Sequence, residues 1–140
     1  MGNEYSQELI DLAFAALDHG IDSVREGGPL IPFVMTERGE DRTVDRFASD
    51  LLEDAVAQAV AHVQASRSQP GTRHVLAYDG YLTLPTGERF DAIYAEGVEA
   101  GTEVVMALAQ RYRPKRSLRK FETIGNPALL PAASSKLAPE

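Results

Sequence analysis

From Arg73 to Tyr112 the chain runs through three extended, apolar-rich stretches joined by short turn sequences, a pattern that an antiparallel sheet accommodates and a helical bundle does not. Two turn signals compete inside it, Asp79-Gly80 and Thr86-Gly87, the latter preceded by Pro85. Asp-Gly is the stronger dipeptide for a two-residue hairpin. A turn at Pro85 to Glu88, however, leaves long segments on both sides, Arg73 to Leu84 and Glu88 to Val98, and turns Asp79-Gly80 into a bulge or twist point within a strand. Pairing Leu84 with Arg89 then puts Asp79, Tyr81, Thr83, Phe90, Ala92 and Tyr94 on one face and Tyr78, Leu82, Leu84, Asp91, Ile93 and Ala95 on the other. Both faces carry apolar groups, so helices are expected over one and, in the simplest arrangement, a second subunit over the other. A homodimer is the expectation. Glu103 to Arg113 alternates through Val104, Met106, Leu108, Gln110 and Tyr112 and is read as a further strand.

Upstream, Ile10, Phe14, Leu17, Ile21 and Val24 recur at three and four residues and predict a helix from Glu4 to Arg25, capped by Asn3 and ended by Gly27-Gly28-Pro29. Leu30 to Glu37 is a strand pushed toward a sheet edge by Pro32, and Arg42 to Phe47 returns as its partner after a polar turn. Asp50 and Glu53 have capping-box spacing before a second helix to Ser66, with Leu52, Val56, Ala59 and Val63 on its apolar side. Phe121 to Ile124 adds a last short strand. The chain is thus expected to be α+β, an antiparallel sheet of four to six strands with two amphipathic helices packed on one face. Residues 1–125 form the domain and 126–140 a loose, flexible tail.

Cysteine is absent, which removes disulfides, thiolate metal sites and cysteine nucleophiles together and fits a reducing cytoplasm, where the protein is placed. Acids interrupt the apolar run of residues 1–20, so neither a signal peptide nor a membrane span is expected there, and no membrane partner. Charge is unevenly spread. Residues 1–110 hold 7 Arg against 19 acids, a balance of −12, and residues 111–140 hold 7 Lys or Arg against 2 Glu, a balance of +5, for a net −7. An acidic body disfavours duplex nucleic acid as the main ligand, while its basic segment can dock on the body, on a second copy or on a phosphate-bearing partner.

No phosphate-cradling glycine motif, nucleophile elbow or metal-ligand spacing occurs, and no cofactor is expected. Glu96, Glu99 and Asp91, with His62 or His74, are the groups from which a small hydrolase or metal-assisted enzyme would have to be assembled. Arg111, Arg113, Lys115, Arg116, Arg119 and Lys120, with Tyr112 and Phe121 interleaved, are the candidates for gripping phosphates or a single nucleic-acid strand. Without a catalytic motif, the leading expectation is a non-enzymatic binding or regulatory module that meets a protein partner as a homodimer.

Overall fold

The structure, a computed structural model, describes residues 5–138. The elements run α1 (Gln7–Val24), β1 (Phe33–Arg38), β2 (Asp41–Arg46), α2 (Leu52–Ser66), β3 (Thr72–Thr83), β4 (Arg89–Glu99), β5 (Val105–Arg113), β6 (Glu122–Leu130) and a single 3-10 turn at Ala132–Ser134. All six strands join one sheet in the order β2-β1-β3-β4-β5-β6, every neighbouring pair antiparallel. The α+β class and the antiparallel sheet are as the sequence predicts.

The central strands are apolar on both faces, and each face has its own cover. Phe33, Met35, Val75, Ala77, Ile93, Ala95, Met106 and Leu108 pack against α1 through Leu9, Leu12, Ala13, Ala16 and Leu17. Val34, Leu76, Tyr78, Val98 and Val105 pack on the other side against Val56, Ala59 and Val63 of α2 and against Leu137. The two helices therefore do not share a face as expected. Successive side chains of β1 and β3 point opposite ways, and both sets are greasy enough to demand a helix. The surface that motivated a second subunit is occupied by α2 and the C-terminal segment of the same chain.

Small residues set how closely α1 approaches. A Cβ built at Gly97 would come 2.9 Å from Leu9 Cδ1, and one at Gly20 3.0 Å from Ile93 Cγ2. The buried stripe of α1 is accordingly rotated from the expected one toward Leu9, Ala13 and Ala16, leaving Phe14 exposed. Ser6 caps the helix, its Oγ accepting from the Leu9 N–H at 3.0 Å, while Asn3 lies outside the described residues. At α2 the capping position falls to Leu51, which makes no side-chain cap, so Asp50 is left facing solvent.

The hairpin between β3 and β4 turns where the sequence places it, with Leu84 N–H bonded to Glu88 O and Gly87 N–H to Leu84 O, both at 2.8 Å. Its register differs by one residue, because Thr83 and not Leu84 pairs with Arg89. A slip of one exchanges faces for one strand relative to the other. Tyr94 consequently stands opposite Tyr78, not beside Asp79 and Tyr81. The ladder runs through Asp79 and Gly80 without a bulge; glycine serves there because the Tyr94 ring lies 3.2 Å from where a Cβ would be.

The stretch expected as a loose tail from residue 126 holds the second half of β6, and Leu137 is 0 % exposed. Gly125, at φ +67°, accompanies a register shift opposite Ala109 to Arg111, and beyond it the chain rejoins the edge of β5 despite Pro127. Proline is tolerated because β6 is an edge strand with one side unpaired.

Candidate functional site

Glu96 sits mid-strand on the α2 face at 1 % exposure, flanked by Ala95 and Gly97. Its Oε1 accepts the backbone N–H groups of Lys136 and Leu137 at 2.7 and 3.1 Å, and its Oε2 accepts the Tyr78 hydroxyl. A carboxylate that deep must be satisfied to be tolerated, and here three donors satisfy it. Burial still pushes its pKa above the usual carboxylate range, opposed by the Tyr78 and backbone hydrogen bonds. Burial, then the adjacent Glu96 charge, pushes the Tyr78 phenol up as well. Both oxygens point into protein, so Glu96 clamps the C-terminal segment to the sheet, with Leu137 inserted beside Val98 and Val105.

Between the first turns of α2, the sheet and this clamped segment lies an open cleft of about 610 Å³. Leu52, Val56 and Val60 form one wall, Tyr78 and Tyr94 another, with Ser134 and Lys136 closing the C-terminal side. The two tyrosines are a cross-strand pair stacked within 5° of parallel at 5.2 Å, and the Tyr94 hydroxyl is anchored on the Tyr81 carbonyl. Lys136 Nζ stands 5.5 Å from the Tyr78 ring centre, so this ammonium is directed to the ring and the Glu96 charge beneath it. Glu53 lines the cleft, and Asp50 and Asp54, near it in sequence but outside the cleft lining, are exposed; none of the three has an ion-pair partner among the described residues. Leu51 and Leu52, 55 % and 49 % exposed, extend the apolar wall to the surface. The result is a largely apolar slot with one unpaired acid, Glu53, on its α2 edge and Lys136 on its C-terminal edge.

The five groups expected to supply catalysis do not come together. Glu99 accepts from Ser6 Oγ at 2.8 Å and lies 3.6 Å from Arg73, tying the start of α1 to β3 and β4. Asp91 pairs in register with Tyr81 and Tyr112 on the α1 face, opposite to Glu96. His62 and His74 line a separate groove of about 360 Å³ between α2, β1 and β2, where His62 Nε2 is 3.5 Å from Asp45 Oδ2. Among the described residues no three His, Asp or Glu side chains are placed to hold a metal ion.

His74 is 2 % exposed, sharing hydrogen bonds with Thr36 Oγ1 at 2.9 Å and Ser66 Oγ at 3.3 Å, and so ties the end of α2 to β1. Burial lowers its pKa below the ordinary 6.5, and the charges of His62 and Arg38 add to the lowering. Below pH 6.5 the unfolded chain takes a proton here that the folded chain resists, so this ring's contribution to stability is present above 6.5 and is lost as pH falls toward the folded value. Glu96, with its raised pKa, works in the opposite direction. In a Glu96→Gln background, urea midpoints are therefore expected to drop as pH is lowered from 6.5, and His74→Gln to flatten that drop; an unchanged slope would remove His74 from the acid response.

The basic segment divides. Arg113 pairs with Glu122 at 2.7 Å, Lys115 lies 3.5 Å from Glu26, and the Arg111 guanidinium rests 5.0 Å from the Phe90 ring centre. Tyr112 is buried, donates its hydroxyl to Asp79 Oδ1 at 2.8 Å and has its pKa pushed up by burial, then by that bond. Phe121 is held between Tyr112 and Arg25, at 5.4 and 5.3 Å. Neither ring offers a free face on which a base could stack. Arg116, Arg119 and Lys120 are exposed without a carboxylate partner among the described residues.

No protein family, curated protein or solved structure matches this chain. No helix among the described residues is long and apolar enough to cross a membrane. Reasoning from sequence placed Tyr78, Tyr94 and Glu96 among notable residues but missed Leu52, Val60 and Lys136 as cleft walls. The one available signal was Glu96 itself, a carboxylate within the apolar run Ala92 to Val98.

Proposed function

We propose that this protein is a non-enzymatic binding module whose cleft between α2 and the sheet receives an apolar side chain flanked by cations, presented by a protein partner. The observation that carries this reading is an open, largely apolar slot with an unpartnered acid on its edge: Val56, Val60, Tyr78 and Tyr94 inside and Glu53 at the rim. The walls reward burial of an aliphatic group, and Glu53, on a chain of net charge −7, favours and steers basic flanks. A small polar substrate would find few donors or acceptors, since Glu96 and the hydroxyls of Tyr78 and Tyr94 are committed to internal bonds. The slot's open mouth suits a protruding protein side chain.

The test is calorimetric titration with the peptide Ac-Arg-Ala-Leu-Ala-Arg-amide. Ala57 lines the cleft from an exposed helix position, so Ala57→Arg obstructs the slot and cancels acidic charge without disturbing the core. Saturable binding to the native chain, weakened about tenfold or more by Ala57→Arg, is expected. Equal heats for both proteins, or none at low salt, would overturn the reading.

A further inference from the structure

The hairpin between β5 and β6 ends in a two-residue turn. Arg116 and Arg119 exchange backbone hydrogen bonds at 3.0 and 2.6 Å, which leaves Ser117 and Leu118 at the tip. Ser117 takes a φ of 45°, the left-handed conformation such tight turns require, and Leu118 is 100 % exposed. Leu118 thus makes no packing contribution within its own chain. It is framed by Arg116, Arg119 and Lys120, the cations left without carboxylate partners among the described residues.

That tip is the complement of the cleft: an aliphatic side chain with basic flanks, against a largely apolar slot edged by the unpaired Glu53. We propose that the cleft of one copy receives Leu118 from a second copy, with the flanking Arg116 and Arg119 directed to Glu53 at the cleft edge. This rests on the reading of the cleft given above and identifies its partner as the chain itself. The tip and the slot lie on different surfaces. Lys115 stands 3.5 Å from Glu26, just beyond α1, whereas the cleft opens on the face covered by α2. The contact joins two different patches: made reciprocally across a two-fold axis it closes an isologous dimer, and made once per copy it extends head to tail as a heterologous contact. It is also small, so the association is weak and, because its steering charges are exposed, sensitive to salt. A single nucleic-acid strand is a poorer match for the tip, since Tyr112 and Phe121 are engaged internally and the free apolar group is aliphatic.

Light scattering coupled to size-exclusion chromatography, over a range of protein and salt concentrations, tests this with two variants. The native chain is expected to exceed the monomer mass at high protein and low salt and to return to monomer as salt rises. Leu118→Asp, at a solvent position that cannot disturb folding, and Ala57→Arg are each expected to weaken self-association about thirtyfold or more. An equimolar mixture of the two is expected to regain a one-to-one complex, because one partner keeps an intact cleft and the other an intact tip. A native chain that stays monomeric throughout would overturn self-docking; if it still binds the leucine peptide at the cleft, the reading of the cleft survives that failure. Self-association that ignores both substitutions, or a salt-sensitive complex with a single-stranded oligonucleotide in place of self-association, also overturns it.

Discussion

Replacing Glu96 with alanine is expected to destabilise the protein by about 3–5 kcal/mol, measured by urea denaturation at neutral pH. Three donors, the Tyr78 hydroxyl and the N–H groups of Lys136 and Leu137, would lose their acceptor at a buried position. Unsatisfied buried donors cost far more than the hydrogen bonds contribute when intact. Glu96→Gln separates acceptor loss from charge loss, since its amide oxygen can keep both N–H groups while the Tyr78 hydroxyl turns to a different partner atom. It is expected to cost about 1 kcal/mol. If alanine were as mild as glutamine, the clamp on the C-terminal segment would not exist as described.

The second large effect is expected at a residue that sequence composition assigns to a tail. Leu137→Ala should cost about 2–5 kcal/mol, the range for a fully buried leucine, because the side chain fills the space beside Val98 and Val105. Leu137 also donates its N–H to Glu96, so the two sites belong to one unit. Their losses in the double variant should fall short of the sum, by more than the few tenths of a kcal/mol seen between independent positions. A loss under about 0.5 kcal/mol for Leu137→Ala, typical of an exposed site, would return residues 131–138 to the status of a loose end.

Much of the architecture was legible because local chemistry and tertiary demand agree there. The first helix carried a 3.6-residue apolar period, and the hairpin turn at Pro85 to Glu88 was selected correctly over Asp79-Gly80 by the strand lengths it leaves. The register was not legible. Pairing Thr83 or Leu84 with Arg89 differs by one residue, both faces of β3 and β4 are apolar, and hydrophobic pattern alone cannot choose between them. That one residue decides whether Tyr94 meets Tyr78 or Asp79, and so whether the cleft has an aromatic wall. The placement of the second helix failed for the same reason, since a strand greasy on both faces does not say which side α2 will take. Residues 126–140 read as a tail because three prolines and a run of small residues hide the one of its three leucines that the fold buries fully, Leu137. Its partner carboxylate lies 41 residues earlier in the sequence, a pairing no local pattern announces. The charge asymmetry, by contrast, was visible from the start. The fold adds that the basic segment spends Arg113 and Lys115 on neighbours and leaves Arg116, Arg119 and Lys120 around an exposed leucine.

Whether the slot under α2 receives an apolar side chain with basic flanks is decided most directly by mapping backbone amide shifts in nitrogen–proton correlation spectra during titration with Ac-Arg-Ala-Leu-Ala-Arg-amide. Shifts concentrated on Leu52 to Val60, Tyr78 to Tyr81 and Tyr94, saturating together and weakening with salt, are the expected result. Shifts spread over the acidic surface without saturation, or centred on the groove of His62 and His74, would contradict it.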